Sequence, residues 1–376
     1  MKIAIVHDWL VTYAGAERVL EQMINVYPEA EIFSLVNFLD SNEEKFIKNK
    51  HVHTSFIQKM PFAKSKYRLY LPLMMIAVEQ FDLSKFDLII SSSHAVAKGV
   101  LTGPNQVHIC MCYSPIRYAW DLQHQYLKES NLTNGIKSIL ARKLLHKVRI
   151  WDVRTSLNVD YFIAISSFIS KRIKKTYRRK STVIYPPVNT DEFFPSDIAN
   201  DYYVTCSRMV PYKKIDLIVE TFSKNFPNKK LIVIGDGPDF KKIQSLAGNN
   251  VSLVGKASFE DLKFYLSSAK AFIFAAEEDF GISPLEAQSC GTPVIAYGKG
   301  GALETVIGIE NEKPTGVFFK KQTIDSLTTA VNDFEKNIGI IEPHNCRENA
   351  LKFNEERFQV AFKSFVEKKY NKEVKT

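Results

Sequence analysis

The chain has 376 residues, 45% of them hydrophobic and 24% charged. This is the profile of a globular protein of about two domains, at ~150 residues each, and it excludes a disordered chain, a collagen-like repeat and a coiled coil. Fifty Lys+Arg against 41 Asp+Glu leave a net +9. The surplus is regional: between Lys137 and Lys180 there are 13 Lys/Arg and only Asp152 and Asp160, a local +11, so the rest of the chain sums to −2. Such a patch asks for an anionic partner.

From the N-terminus, the apolar run Ile3-Ala4-Ile5-Val6 meets His7-Asp8 too soon for a signal peptide. No window approaches the ~18 apolar residues of a membrane span. Strand-like runs follow at 3–7, 87–91, 107–113, 161–165 and 182–185. A second series lies at 202–207, 230–235, 251–254, 271–275 and 293–296. Helical patterns at 16–27, 134–157, 215–226 and 260–268 lie between them. Strand, helix and strand repeated in this way predict parallel sheets with helices on both faces, an α/β chain of two Rossmann-like halves.

The linker signals are Tyr185-Pro186-Pro187-Val188-Asn189 and the polar stretch Phe194-Pro195-Ser196-Asp197-Ile198-Ala199-Asn200, because proline stiffens a connection and cannot continue a central strand. The expected domains are 1–195 and 196–354. A C-terminal helix at about 355–376, with Phe358, Phe362, Phe365 and Val366 near helical spacing, either caps the second domain or returns to the first. Cys110, Cys206 and Cys290 sit in or beside apolar segments, as reduced, buried thiols do, and a cytoplasmic protein is expected on that ground. Cys110-x-Cys112 reads as strand alternation, since no second pair completes a tetrahedral metal set, and no metal site is expected.

The segment richest in chemistry runs Glu278-Asp279-Phe280-Gly281-Ile282-Ser283-Pro284-Leu285-Glu286. It follows an apolar strand and opens a helix. Ligands of open α/β sheets bind at the carboxyl ends of the strands, and a helix N-terminus there offers free N–H groups to phosphate. Gly281 lets the backbone come close to a ligand. Glu278 and Glu286, one before the helix and one inside it, are spaced to grip separate hydroxyl-bearing parts of one molecule.

Glu278-x7-Glu286, with Phe280-Gly281-Ile282 inside it, resembles the signature of family 4 retaining glycosyltransferases. Ser207-Arg208-Met209-Val210-Pro211-Tyr212-Lys213-Lys214 resembles that family's Arg/Lys motif, and Gly235-Asp236-Gly237-Pro238 its glycine turn. His7-Asp8 and Ala14-Gly15-Ala16-Glu17-Arg18 resemble its first glycine-rich loop. Pro115-Ile116-Arg117-Tyr118-Ala119-Trp120-Asp121 is similar to one branch, which contains O-antigen mannosyltransferases that use GDP-mannose. The resemblance implies the GT-B fold, two Rossmann-like domains facing across a cleft. It also implies a hexose, foremost mannose from GDP-mannose, moved to a saccharide acceptor, expected to be lipid-linked, in surface polysaccharide or lipopolysaccharide synthesis, with retained anomeric configuration.

On the same ground Arg208 and Lys213 would neutralise the donor's diphosphate without a metal, and no other cofactor is implied. Glu278 would hold sugar hydroxyls near the reacting carbon, and Glu286 the ribose. The backbone at Phe280, Gly281, Ile282 and Ser283 would meet the sugar and phosphates. Gly235 and Gly237 would line the donor site, and Gly15, Ala14 and Arg117 would contribute from the first domain. The chain departs from the family at two places. Ala14 stands where relatives often carry glycine, so close approach there requires a negative φ. Tyr113 stands where many relatives carry a sugar-contacting His, and either Tyr113 or a spatial neighbour such as His124 would take that place.

Arg142, Lys143, Lys147 and Arg149 repeat at near-helical spacing, and Lys171, Arg172, Lys174, Lys175, Arg178, Arg179 and Lys180 follow. A smaller group, from Lys59 through Lys64 and Lys66 to Arg68, is interleaved with Phe56, Phe62, Tyr67 and Leu69. Cations mixed with aromatics fit attachment to an anionic membrane surface, here the inner face of the cell membrane. No helix-turn-helix, zinc-finger or RNP-like signature supports nucleic acid. The alternatives are a UDP-hexose or UDP-N-acetylhexosamine transferase, a nucleotide-sugar epimerase, and a non-catalytic membrane adaptor.

Overall fold

The computed structural model describes residues 1–41, 43–196 and 200–374. Asp197, Ile198 and Ala199 of the expected linker lie outside the described residues. The chain divides into two units: Met1–Tyr185 together with the segment from Phe358 onward, and Pro186–Arg357.

The first unit is built on a seven-stranded sheet: β1 (Ile3–His7), β2 (Glu31–Ser34), β3 (Val52–Thr54), β4 (Leu88–Ser93), β5 (Val107–Cys112), β6 (Tyr161–Ala164) and β7 (Ser181–Val183), in the order β3-β2-β1-β4-β5-β6-β7. The pairings are all parallel; Ile5, for example, stands opposite Ile32 on one side and Ile90 on the other. Every residue of β1, β4 and β5 is buried, which is why these strands read as continuous runs rather than alternating ones.

The second unit repeats the plan with six parallel strands: β8 (Tyr202–Cys206), β9 (Lys230–Ile234), β10 (Val251–Gly255), β11 (Ala271–Phe274), β12 (Val294–Tyr297) and β13 (Gly316–Phe319), ordered β10-β9-β8-β11-β12-β13. Successive residues point to opposite faces, and each face has its own apolar core. Tyr203, Leu231, Val233, Ile273 and Ile295 pack with Phe222 and Phe334 on one side. Val204, Ile232, Phe272, Phe274 and Val294 pack with Leu266 and Ala287 on the other.

In both sheets the strand order reverses direction beside the first strand, between β1 and β4 and between β8 and β11. That point is where a doubly wound sheet opens a crevice for ligand at its carboxyl edge. The helix Glu355–Val374 buries Phe358, Phe362 and Val366, and the Phe362 ring lies against Tyr27 of the first unit. Among the described residues, no helix is long and apolar enough to cross a membrane.

Candidate active site

At the switch point of the second sheet, β8 runs into Ser207-Arg208-Met209. Met209 is buried and anchors the loop, while Arg208 is exposed beside it. The turn after β9 fastens this loop: Met209 N–H donates to Asp236 O at 2.9 Å and Asp239 N–H to Met209 O at 3.2 Å. A Cβ on Gly235 would stand 1.9 Å from Ser207 O, and one on Gly237 2.4 Å from Met209 O. These two glycines therefore let one turn seat on the backbone that carries Arg208. A 3₁₀ turn at Pro211–Lys213 then presents Lys213.

After β11 the chain passes to Glu278, whose carboxylate is ion-paired with Lys213. The Glu278 backbone bridges to Gly300, and Gly301 N–H donates to Glu278 O at 2.8 Å. Gly300 has φ +68°, and a Cβ there would lie 2.3 Å from Glu278 O; a Cβ on Gly301 would lie 2.3 Å from Phe280 Cα. The Gly300-Gly301 pair is thus a required support of the Glu278 segment that sequence reasoning did not single out. Its signal was the run Gly298-Lys299-Gly300-Gly301 after a predicted strand.

Phe280 is buried against Phe353, with ring centroids 5.7 Å apart. Gly281, at φ +98°, turns the chain into the helix Ile282–Ser289, so the N–H groups of Ile282 and Ser283 open the helix as expected. Glu286 is buried in that helix. The helix is locked in orientation by Gln288, which donates to Thr305 O at 2.8 Å and accepts from Asn349 at 2.8 Å. Two cations, two carboxylates and a helix N-terminus thus belong to elements at one sheet edge, with Lys213 and Glu278 in direct contact.

The first unit has an equivalent edge. Asp8, fully buried at the end of β1, accepts four backbone N–H groups: His94 (2.6 Å) and Ala95 (3.0 Å) on Oδ2, and Val96 (2.6 Å) and Ala97 (2.7 Å) on Oδ1. Ala14 has φ −137° and precedes the helix Gly15–Val26, so the negative φ required of a side chain at that place is met; its N–H donates to Glu17 Oε2 at 3.1 Å. Glu17 is buried, which alone would raise its pKa, but the hydrogen bond and charge of His7 outweigh this and hold it below the usual carboxylate range.

His7 lies between Glu17 Oε1 (3.3 Å) and Ser92 Oγ (2.9 Å). Ser92 Oγ also meets Tyr113 OH at 2.8 Å, and Tyr113 OH reaches Ala16 O at 3.1 Å. Tyr113 is therefore a buried strut between β4, β5 and the start of the first helix, with its phenol pushed above the ordinary range by burial. Arg117 is half-buried in the turn after β5, and His124 is exposed on the helix Gln123–Glu129.

The basic stretch sorts itself by residue type. Its arginines are largely tied to protein oxygens: Arg149 to Ala119 O at 2.7 Å, Arg172 to Asp121 at 2.5 Å, Arg154 to Glu79 at 2.7 Å, and Arg179 to Ser156 O at 3.0 Å and Val159 O at 2.5 Å. Asp152 is buried with Lys98 as its ion-pair partner. The lysines Lys137, Lys143, Lys147, Lys171, Lys174, Lys175 and Lys180 are exposed. Ile136, Ile139, Leu140 and Ile150 share the helix Gly135–Ser156 with three of them and are exposed as well, Ile136 at 77%. Phe56, Phe62, Leu69 and Ile76 are exposed around Lys59, Lys64, Lys66 and Arg68.

Residues 188–353 match the model of the family "Glycosyl transferases group 1". An uncharacterized glycosyltransferase of Methanocaldococcus jannaschii is 26% identical over 220 residues, 56% of this chain and 60% of that protein. A GDP-mannose-dependent alpha-(1-6)-phosphatidylinositol monomannoside mannosyltransferase of Mycolicibacterium smegmatis is 26% identical over 238 residues, 53% of this chain and 61% of that protein. The chain thus spans about three-fifths of the length of these two curated relatives. In fold it is similar to Anabaena HepE, solved in complex with UDP-glucose, with TM-score 0.70 at 17% identity over 98% of this chain and 100% of that one. The chain therefore has the two-Rossmann fold called GT-B, and its residues 188–353 are similar to the glycosyl transferases group 1 family.

Proposed function

We propose that the chain is a retaining, family 4-type glycosyltransferase that moves mannose from GDP-mannose to a lipid-linked saccharide acceptor, in the making of a surface polysaccharide or lipopolysaccharide. The observation that carries this reading is the contact of Lys213 with Glu278 at the switch point of the second sheet, inside the segment that matches the group 1 family model. In this reading Arg208 and Lys213 meet the diphosphate, whose charge grows as the glycosidic bond breaks. Fixed cations stabilise that transition state most, and no metal is required.

Glu278 exchanges its lysine partner for sugar hydroxyls, Glu286 accepts from the ribose, and the opening N–H groups of the helix Ile282–Ser289 face phosphate. The bond from the anomeric carbon to the phosphate oxygen breaks with its electron pair going to phosphate. The acceptor oxygen bonds to the same face of that carbon, and its proton passes to the departing phosphate oxygen. Support for mannose comes from the GDP-mannose dependence of the M. smegmatis relative. A UDP-hexose or UDP-N-acetylhexosamine donor is the second reading, favoured by the UDP-glucose in the HepE structure.

The exposed lysines and aliphatic residues of the helix Gly135–Ser156, with the aromatic and basic group at 56–76, support peripheral attachment of the first unit to an anionic bilayer. Apolar side chains would enter the headgroup boundary, and each lysine would contribute ~1 kcal/mol near anionic lipid.

The test is incubation of the chain with GDP-mannose, UDP-glucose, UDP-galactose and UDP-N-acetylglucosamine, with and without EDTA, following release of the nucleoside diphosphate. GDP release should be fastest and should survive EDTA. A strict need for Mg²⁺ or Mn²⁺ contradicts the metal-free chemistry. An altered nucleotide sugar formed without release means an epimerase, and no turnover with Glu278→Ala equal to wild type in vesicle binding means an adaptor.

A further inference from the structure

The first sheet has its own switch point, between β1 and β4, and two side chains stand there: Asp8 after β1 and His94 after β4. His94 Nδ1 is buried and lies 3.0 Å from Asp8 Oδ2, off the line of a straight hydrogen bond. The ring itself is 31% exposed, so its open edge carries Nε2. Trp9 packs edge-on against the ring at 4.5 Å between centroids and fixes its plane.

The protonation pattern follows from the neighbours. Asp8 accepts two backbone N–H groups on each carboxylate oxygen, which fixes the carboxylate in place against the ring. A bare Nδ1 lone pair facing that carboxylate at 3.0 Å would be repelled, so the ring proton belongs on Nδ1, and Nε2 keeps its lone pair. Burial lowers the pKa of His94 below the ordinary 6.5. Asp8 and Glu17 raise it, His7 and Arg117 lower it, and the net is downward. A neutral imidazole with an accepting Nε2 therefore sits at the carboxyl edge of the sheet. Of its neighbours, His7 is engaged with Glu17 and Ser92, and Tyr113 with Ser92 and Ala16 O.

We propose that His94 is an acceptor-binding residue: its imidazole, backed by Asp8 at the switch point of the first sheet, takes a hydrogen bond at Nε2 from a hydroxyl of the saccharide acceptor. This rests on the transferase reading above, in which the second unit holds the donor. Crevices at switch points of open sheets are where such folds bind ligand, and a lone-pair nitrogen selects a ligand rich in O–H donors. The assignment makes His94, rather than Tyr113 or His124, the sugar-contacting side chain of this unit.

The experiment titrates the full chain, loaded with GDP, with octyl α-mannoside below its micellar range. Wild type, His94→Ala and His94→Gln are compared between pH 5 and pH 8. His94→Ala should weaken binding about three- to tenfold, the scale of one hydrogen bond to a neutral group. His94→Gln, which restores an acceptor near the Nε2 position, should recover most of it. Wild-type affinity should fall as acid protonates Nε2, and this acid limb should vanish in both variants, which a merely structural role would not produce.

Failure of the wild type to bind the mannoside, wild-type affinity in His94→Ala, or an acid limb persisting in the variants would each overturn the proposal. If no nucleoside diphosphate or nucleotide sugar stabilises the wild-type chain against heat, the transferase reading itself falls. Donor stabilisation in wild type with no effect of His94 overturns the acceptor assignment alone.

Discussion

Arg208 and Lys213 differ in how the fold treats them, and the difference bears on their proposed chemistry. Arg208 is exposed on a loop whose backbone is pinned by Asp236 and Asp239. Lys213 is partly withdrawn and already paired with Glu278. Alanine at either position should lower kcat by about 100-fold or more, the scale of one lost electrostatic stabiliser, as measured by steady-state release of GDP from GDP-mannose. Unchanged turnover in both variants would refute the leaving-group role.

His108 offers a residue-scale test of the fold instead. Its ring is fully buried on β5, with Nε2 2.8 Å from Ser91 Oγ, and burial pushes its pKa down to about 4. The folded value lies below the unfolded ~6.5. Its contribution is therefore fully present above pH 6.5 and is lost as pH falls toward 4, because the unfolded chain takes up the proton first. Stability measured by urea unfolding should drop by about 2 kcal/mol between pH 7 and pH 5 from this group, and His108→Gln should flatten that slope.

Among the elements, the fully buried strands were legible because a parallel sheet covered on both faces writes an uninterrupted apolar run, as in Ile3–His7 and Ala271–Phe274. The strands β2, β3 and β13 were not legible. Glu31 and Ser34 bound β2, His53 and Thr54 follow a single Val in β3, and Gly316 opens β13, so none of them stands out as an uninterrupted apolar run, and each is defined by the neighbour it pairs with. The site divided in the same way. The Glu278–Glu286 segment and the Arg208–Lys213 turn announced themselves by composition. His94 did not, because its place depends on Asp8, 86 residues away. Its one local trace was the polar run Ser91-Ser92-Ser93-His94 ending an apolar strand. Nor could spacing alone show that Gly235 and Gly237 seat one turn on another.

The glycine contacts yield an element-scale prediction. In Gly300→Ala, the new Cβ meets Glu278 O in a left-handed backbone. The variant should lose about 1–3 kcal/mol of stability, and kcat should fall with it as Glu278 is displaced. Thermal unfolding together with GDP release checks this; wild-type kcat at reduced stability would separate Gly300 from the placement of Glu278.

For the molecule as a whole, the net charge of +9 resolves into different tasks. Much of the arginine in the basic stretch closes hydrogen bonds within the first unit, which leaves the exposed lysines and the aliphatic residues between them for a surface role. Replacing Lys137, Lys143 and Lys147 with Gln should reduce sedimentation with phosphatidylglycerol-containing vesicles by on the order of 10-fold or more and weaken its salt dependence. Ile136→Ser with Ile139→Ser should reduce it at every salt concentration. Equal binding of the wild type to neutral and anionic vesicles would contradict membrane attachment through this face.

In the proposed reaction the carboxyl edge of the second sheet binds the diphosphate of a nucleotide sugar through Arg208 and Lys213. The most direct measurement is the thermal unfolding of the wild type and of the Arg208→Ala/Lys213→Ala double variant, each with excess GDP and without it. A ligand bound only by the native state stabilises it by about 2.7 kcal/mol at 100 times its Kd. With GDP the Tm of the wild type should shift clearly upward, and the shift should nearly disappear in the double variant. No shift in the wild type, or an equal shift in both proteins, would contradict it.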